Sequence, residues 1–266
     1  MAIASDVRKY LKNWMRLPKS VLAATIVASS LGVLSVPSAE AGQLKAVVEM
    51  FTSQGCSSCP PADKILGKYA DRRDVLALSW HVDYWNYLGW NDTFSKAEFT
   101  ERQYRYAASF RRRGVYTPQA VVNGRDHVVG SHGGKIENLI NTYDNGGKGL
   151  TVPVNVTHSG NEVRVTSGDA PTHGETTLWI VYFDKKRPVK ILRGENRGET
   201  IEYHNIVRSV SLLGMAKGGK LDVTLPMKEL KRQGHESCAL ILQRTLGNGL
   251  PGPIVGATVI DDLLGS

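Results

Sequence analysis

Apolar and polar positions change rhythm near residue 147, and the two rhythms predict different architectures. Up to that point strand-like and helix-like stretches alternate. AVVEMFT (46–52) is a nearly continuous apolar run, as expected of a largely buried strand. PPADKILGKYA (60–70) carries Ile65, Leu66 and Tyr69 at helical spacing, with its prolines where a first turn tolerates them. DVLALSWHV (74–82) reads as a second strand, followed by an aromatic loop, DYWNYLGWNDTF. SKAEFTERQYRYAASFRRRG (95–114) opens on Ser95-x-x-Glu98, the spacing of a capping box, and lines Phe99, Gln103, Tyr106, Ala107 and Phe110 along one face. Gly114 can end that helix. QAVVNG and DHVVGS form a hairpin around Asn123-Gly124, a strong turn signal, and GKIENLINTY is a last amphipathic helix. The order β-α-β-α-β-β-α is complete before the glycine-rich break DNGGKGL (144–150).

After the break nearly every stretch is short and β-branched. TVPVNVTHSGNEVRVTS is a hairpin, and TTLWIVYFD, PVKILRG, EYHNIVRSVSLLG, KLDVTLP, CALILQRT and PIVGATVI continue as strands. That spacing predicts a β-rich, sandwich-like unit. The expected organisation is an α/β domain over 42–147 and a β-rich domain over 150–266.

The first 41 residues stand apart. Arg8, Lys9, Lys12, Arg16 and Lys19 precede the apolar run Val21–Val36, Pro37 breaks it, and Ala39-Glu40-Ala41 offers a small-residue cleavage site. This is the pattern of an export signal peptide cleaved near Ala41, to a periplasmic or secreted destination. The run is short for a spanning helix, so a retained anchor is the alternative and no membrane span is expected after cleavage. Met15 also begins a leader of ordinary proportions. Cleavage removes five basic and two acidic residues from a chain of net charge +8 and leaves +5. The run Arg111-Arg112-Arg113 reads as a solvated helix end. For an exported protein no nucleic-acid partner is expected.

Export matters most for the cysteines, because disulfides form and persist outside the cytoplasm. The chain has three: Cys56 and Cys59 in FTSQGCSSCPPADK, and Cys238 in SCALILQ. A C-x-x-C can be half a zinc site, a redox pair or a staple. Zinc needs further ligands, but the sequence has no second C-x-x-C. Haem attachment needs His after the second Cys, where Pro60 stands. Copper held by two thiolates remains an alternative. The redox reading has a mechanism: the strand delivers Cys56 to a helix N-terminus, where free N–H groups and the positive dipole end stabilise a thiolate. Cys59 then resolves the mixed disulfide formed at Cys56. No separable cofactor is required, and an outside redox partner resets the pair.

GVYTPQAVVNGRDHVVG places Thr117-Pro118 just before a strand-turn-strand, which resembles the thioredoxin fold, in which a cis-proline faces the C-x-x-C. By that resemblance Pro118 lies against the disulfide and the Thr117 backbone pairs with an incoming thiol or peptide. The alternative is a trans-proline at a strand start. VEMFTSQGCSSCPPADKILGKYA, LALSWHVDYWNYLGWNDTFS, FTERQYRYA, VYTPQAVVNGR, RGENRGETIEYHNIVRSVSLLG and GPIVGA are, in that order, similar to the bacterial exported family known as domain of unknown function 1223. The resemblance implies an α/β thioredoxin-like domain followed by a β-rich C-terminal part, with thiol chemistry inferred and no known substrate.

Other residues have weaker claims. Glu49, an acid within an apolar strand, is a candidate proton shuttle for Cys59 if buried, or an exposed strand-face residue. His81, Asp83, Tyr84, Trp85 and Trp90 form a candidate substrate groove, with core packing and loop anchoring as the alternative. Cys238 alternates with Leu240 and Leu242 and reads as a small buried hydrophobe, or as a third redox thiol. The functional expectation is an exchanger acting on protein or small-molecule thiols. A non-catalytic envelope-binding module stapled by a permanent disulfide is the competing reading.

Overall fold

β1 (Ala46–Thr52) is buried along its whole length, as its unbroken apolar composition predicts. β2 (Val75–His81) pairs with it in parallel after α1 (Pro60–Ala70) crosses between them. β3 (Gln119–Val122) lies antiparallel on the other edge of β1, and β4 (Asp126–Val129) pairs with β3. α2 (Ala97–Ser109) and α3 (Gly133–Asn145) complete the first half. The computed structural model describes residues 44–171, 174–231 and 234–260; the expected signal peptide and its cleavage site lie outside them.

Period-two alternation divides β1 and β2 between two cores. Ala46, Val48, Met50, Val75 and Ala77 pack with Ala62 and Leu66 of α1 and with Ile136 and Ile140 of α3. Val47, Phe51, Leu76, Leu78 and Trp80 face the other way, toward Phe99 and Tyr106 of α2. This division decides which polar residues can meet the cysteines.

The second half contributes β5 (Val154–Ser159), β6 (Glu162–Ser167), β7 (Glu175–Lys190), β8 (Thr200–Ala216), β9 (Asp222–Pro226), the short α4 (Met227–Lys231), β10 (Ser237–Thr245) and β11 (Pro251–Val259). Here the expected fold class fails. An α/β thioredoxin-like domain followed by a separate sandwich-like domain does not form. One mixed eight-stranded sheet runs β11-β10-β7-β8-β2-β1-β3-β4, and a three-stranded sheet runs β5-β6-β9. The join is a parallel pairing of Ser79 with Ile206, reinforced by the Asn205 Nδ2–H bond to the Ala77 carbonyl at 2.8 Å. The α2-side core draws Val181, Phe183, Val207, Ile241 and Ile254 from the second half.

The reason is backbone satisfaction. The edge of β2 away from β1 needs partners for its N–H and C=O groups, and β8 supplies them. Periodicity reports the strands but not this pairing across more than a hundred residues.

Three local expectations also shift. TTLWIVYFD and the first three residues of PVKILRG belong to the single strand β7, which passes through Pro188 and ends at Lys190. Lys96, not Ser95, is the N-cap of α2; the Ser95 hydroxyl donates to the Asp92 carbonyl at 3.0 Å. α2 ends at Ser109, and Arg111, at φ 55°, turns the chain before Gly114. The Asn123-Gly124 turn forms with both residues at positive φ, 51° and 59°. A side chain at Gly124 would meet the Gly252 carbonyl at 2.5 Å, so the close approach to β11 also requires glycine there.

Candidate functional site

Beyond Thr52 the chain turns and enters α1 with Cys59 as N-cap and prolines at the first helical positions. Cys56 and Cys59 form a disulfide with Cα atoms 5.4 Å apart. The Cys56 N–H donates to the Ser53 carbonyl and the Cys59 N–H to the Cys56 carbonyl, both at 3.1 Å. The Cys59 carbonyl accepts from Ala62 N–H at 2.8 Å and Asp63 N–H at 3.1 Å, starting the helix. Opposite this turn the Thr117–Pro118 bond is cis. The Ser58 hydroxyl, 3.4 Å from Cys56 Sγ, reaches the Thr117 carbonyl at 3.5 Å. The residues expected at the centre of the site, Cys56, Cys59, Thr117 and Pro118, thus come together.

Two segments distant in sequence cover the turn. The tip joining β7 to β8 (191–199) places buried Asn196 so that its Nδ2 donates to the carbonyls of Gln54 at 2.9 Å and Cys56 at 3.0 Å. Glu195 Oε2 accepts from the Ser57 N–H at 3.3 Å. From the aromatic loop, Trp90 Nε1 donates to Gln54 Oε1 at 2.8 Å, and Asp92 Oδ2 accepts the Gln54 N–H at 2.7 Å. Trp85 Nε1 donates to Thr117 Oγ1 at 2.7 Å. Cys56 is 1% exposed and Cys59 0%, while Ser57 and Ser58 are exposed.

The candidate groove therefore divides. Trp85 and Trp90 brace the cysteine turn and its facing loop. Asp83 turns to α2, where its Oδ1 accepts from Thr100 Oγ1 at 2.6 Å. Tyr84 packs beside Trp85, and burial pushes its hydroxyl pKa up to about 12. His81 points to the α1 face, with Nδ1 2.7 Å from Asp92 Oδ2 and both side chains fully buried.

Glu49 is buried but lies on the α2 face, away from the helix that carries Cys59. Arg102 Nε donates to its Oε1 at 2.7 Å and the Tyr106 hydroxyl to its Oε2 at 2.5 Å. Gln243 Nε2 donates to the Tyr106 oxygen at 2.8 Å, closing the network. The Arg102 guanidinium also lies 4.8 Å from the Trp80 ring centroid. Glu49 is held as a structural anion.

The acid beneath the disulfide is Asp63, one turn along α1 from Cys59 and 3% exposed. Neither carboxyl oxygen has a hydrogen-bond partner, and Thr52 Oγ1, Ser79 Oγ, His81 Nε2 and the Tyr203 hydroxyl are buried in the same condition. Burial pushes the Asp63 pKa up to about 7, with Asp92 adding to the rise and His81 and Thr52 opposing it. Burial and the charges of Asp63 and Asp92 also raise the Tyr203 hydroxyl well above its usual range. Cys238 sits in β10 within the core beneath the three-stranded sheet, outside the disulfide.

Sequence reasoning passed over Asp63, Asp92, Gln54, Glu195, Asn196 and Tyr203. A signal existed for Asp63. Positions 59, 62, 63, 66 and 69 form the apolar stripe of α1, and an acid on such a stripe is buried by the helix's own geometry.

No curated protein matches the chain. Among solved structures, an Agrobacterium tumefaciens protein is similar at 41% identity with a TM-score of 0.74, covering 82% of this chain and 95% of its own. HBP35 of Porphyromonas gingivalis, 14% identical, aligns over 82% of this chain and 75% of its own with a TM-score of 0.57, a likeness of fold alone. The model of the protein family of unknown function DUF1223 matches residues 47–243, which span the cysteine turn, the facing cis-proline and the covering β7–β8 tip. The chain belongs to the DUF1223 family.

Proposed function

We infer that this protein is an exported thiol–disulfide exchanger acting through Cys56 and Cys59. The observation that carries the reading is the position of the disulfide at the N-terminus of α1, opposite cis-Pro118 and Thr117. N–H groups at a helix start favour a thiolate, and an activated cysteine needs such surroundings. In the exchange, an incoming thiolate attacks Cys56 Sγ, the Cys56–Cys59 bond breaks, and Cys59 leaves as a thiolate that takes up a proton. A second thiolate attacks the substrate sulfur of the mixed disulfide, releasing the substrate disulfide and leaving the pair reduced. The reverse sequence reduces a disulfide substrate and re-forms the Cys56–Cys59 bond. An external redox partner resets the pair, and Thr117 offers its backbone to the substrate chain.

The test is a Cys59→Ser protein exported in its own host. It is expected to accumulate mixed disulfides at Cys56, released by reductant, whereas Cys56→Ser traps none. A Cys59→Ser protein that captures no thiol partner counts against exchange.

A second reading has its own observation. The tip bearing Asn196 leaves Cys56 almost fully covered, as suits a permanent staple. A staple predicts that neither cysteine reacts with a dithiol in the native protein and that reduction unfolds the turn.

A further inference from the structure

Six polar atoms of five side chains, all buried and without hydrogen-bond partners, lie between α1, β1, β2 and β8: both Asp63 oxygens, Thr52 Oγ1, Ser79 Oγ, His81 Nε2 and the Tyr203 hydroxyl. Burying such groups unpaired costs free energy, so native proteins keep few of them, and those kept mark chemistry or bound water. Alternation puts these residues together: Thr52 follows Met50 on the α1 face of β1, and Ser79 and His81 follow Ala77 on that face of β2. Asp63 is four residues after Cys59, so the two share one helix face. Helical side chains lean toward the N-terminus, which carries the Asp63 carboxyl toward Cys59. Behind it the His81 Nδ1–Asp92 Oδ2 contact at 2.7 Å orients the imidazole and leaves Nε2 turned to the cluster.

We propose that Asp63, with His81 and Asp92 behind it, is a buried proton store for the Cys56–Cys59 pair. Its proton passes to Cys59 when the disulfide opens and returns when it closes. The proposal rests on the exchange reading and adds the group that handles the proton. In the opening step the thiolate–Cys56 bond forms, the Cys56–Cys59 bond breaks, and the electron pair goes to Cys59 Sγ. The proton goes from the Asp63 carboxyl to that sulfur, leaving a carboxylate faced by His81. Closing runs the same transfers backwards. Asp63 is the proton donor, and His81 and Asp92 are positioning residues.

The groups that act on Asp63 are Thr52 from β1, His81 from β2, Asp92 from the aromatic loop and Tyr203 from β8, and Ser79 shares the same face of β2. Farther along α1, the ring of His204, itself paired to Glu202 at 3.2 Å, lies against Gly67. A carboxyl held near neutrality, as the burial of Asp63 dictates, both gives and takes a proton at working pH.

The test follows opening of the disulfide by a small thiol in the full chain from pH 5 to 9, comparing wild type with Asp63→Asn and His81→Gln. The rate ratio of two proteins cancels the titration of the attacking thiol. Asp63→Asn is expected to slow opening by roughly tenfold or more on the acid side and to abolish the protein's own inflection near neutral pH. His81→Gln keeps that inflection and moves it upward, because the imidazole holds the Asp63 pKa down. An Asp63→Asn profile of unchanged shape, even if uniformly slower, overturns the store. A wild-type disulfide that no small thiol opens overturns the exchange reading and the store with it. If Asp63→Asn does not fold, the infrared difference spectrum of wild type on reduction decides. Loss of a protonated-carboxyl band as the disulfide opens supports the store, and no carboxyl change overturns it.

Discussion

The two faces of the β1–β2 region each bury one acid, and the acids are treated in opposite ways. On the α2 face Glu49 receives a guanidinium, a phenol and, through that phenol, a carboxamide. On the α1 face no partner lies within hydrogen-bond distance of the Asp63 oxygens, although unpaired polar atoms of four other side chains are buried on the same side. A buried charge whose lone pairs are filled holds the fold in register and has little left to exchange. A buried acid with empty lone pairs is costly as an anion and is kept near neutrality as an acid. The disulfide sits on the second face. The contrast moves the proton role expected of Glu49 to Asp63.

The largest effect should come from breaking the satisfied face. Arg102→Met leaves Glu49 buried without its cation and is expected to cost about 3–5 kcal/mol in urea unfolding, while disulfide opening by a small thiol is unchanged. Loss of exchange in a folded Arg102→Met protein would erase the distinction between the faces.

Next, Asp63→Asn should raise stability instead of lowering it. The folded pKa of Asp63, about 7, lies above its unfolded value of 3.8. Between these values the folded state keeps a proton that the unfolded state has released, so wild-type stability falls as pH rises through that window and levels off above it. The asparagine variant lacks this fall, and its advantage should grow to roughly 4 kcal/mol by pH 8 as an upper bound. Urea unfolding at pH 4 and pH 8 checks it; equal differences at the two values would contradict the assignment.

A smaller effect is expected at the rim. Asn196→Ala removes two hydrogen bonds and strands the Gln54 and Cys56 carbonyls, for about 1–3 kcal/mol. It should also speed attack on Cys56 by a small thiol by uncovering the turn. Smallest is Glu195→Gln, which weakens one exposed contact at the helix start and removes a negative charge beside Cys56. Reduced Cys56 should then titrate at slightly lower pH, as alkylation rates across pH would report, and a rise would mean that Glu195 does not act on the thiolate.

Much of this site was legible in particular residues. The C-x-x-C before a proline-started helix, Thr117-Pro118 and Asn123-Gly124 are local signals, and each forms the turn its residues dictate. Asp63 was readable as an acid on an apolar stripe but was overlooked because Glu49, nearer the strand core in sequence, drew the role. Period-two alternation alone separates the two, since Glu49 shares the face of Val47 and Phe51. Asn196 and Glu195 lie in RGENRGE, a polar, glycine-rich stretch with no local mark of burial. Their contacts to the cysteine turn span some 140 residues and exist only because β8 joins β2. The same pairing overturned the expected fold class, because edge complementarity between distant strands leaves no periodic trace.

The central claim is that the Cys56–Cys59 disulfide turns over, and its reduction potential in the full chain tests this most directly. Equilibration against dithiol buffers should place it above about −300 mV, within reach of cellular exchange partners, with the reduced protein still folded. A potential below about −300 mV, together with no exchange in the native protein, would mark a permanent staple and contradict the account.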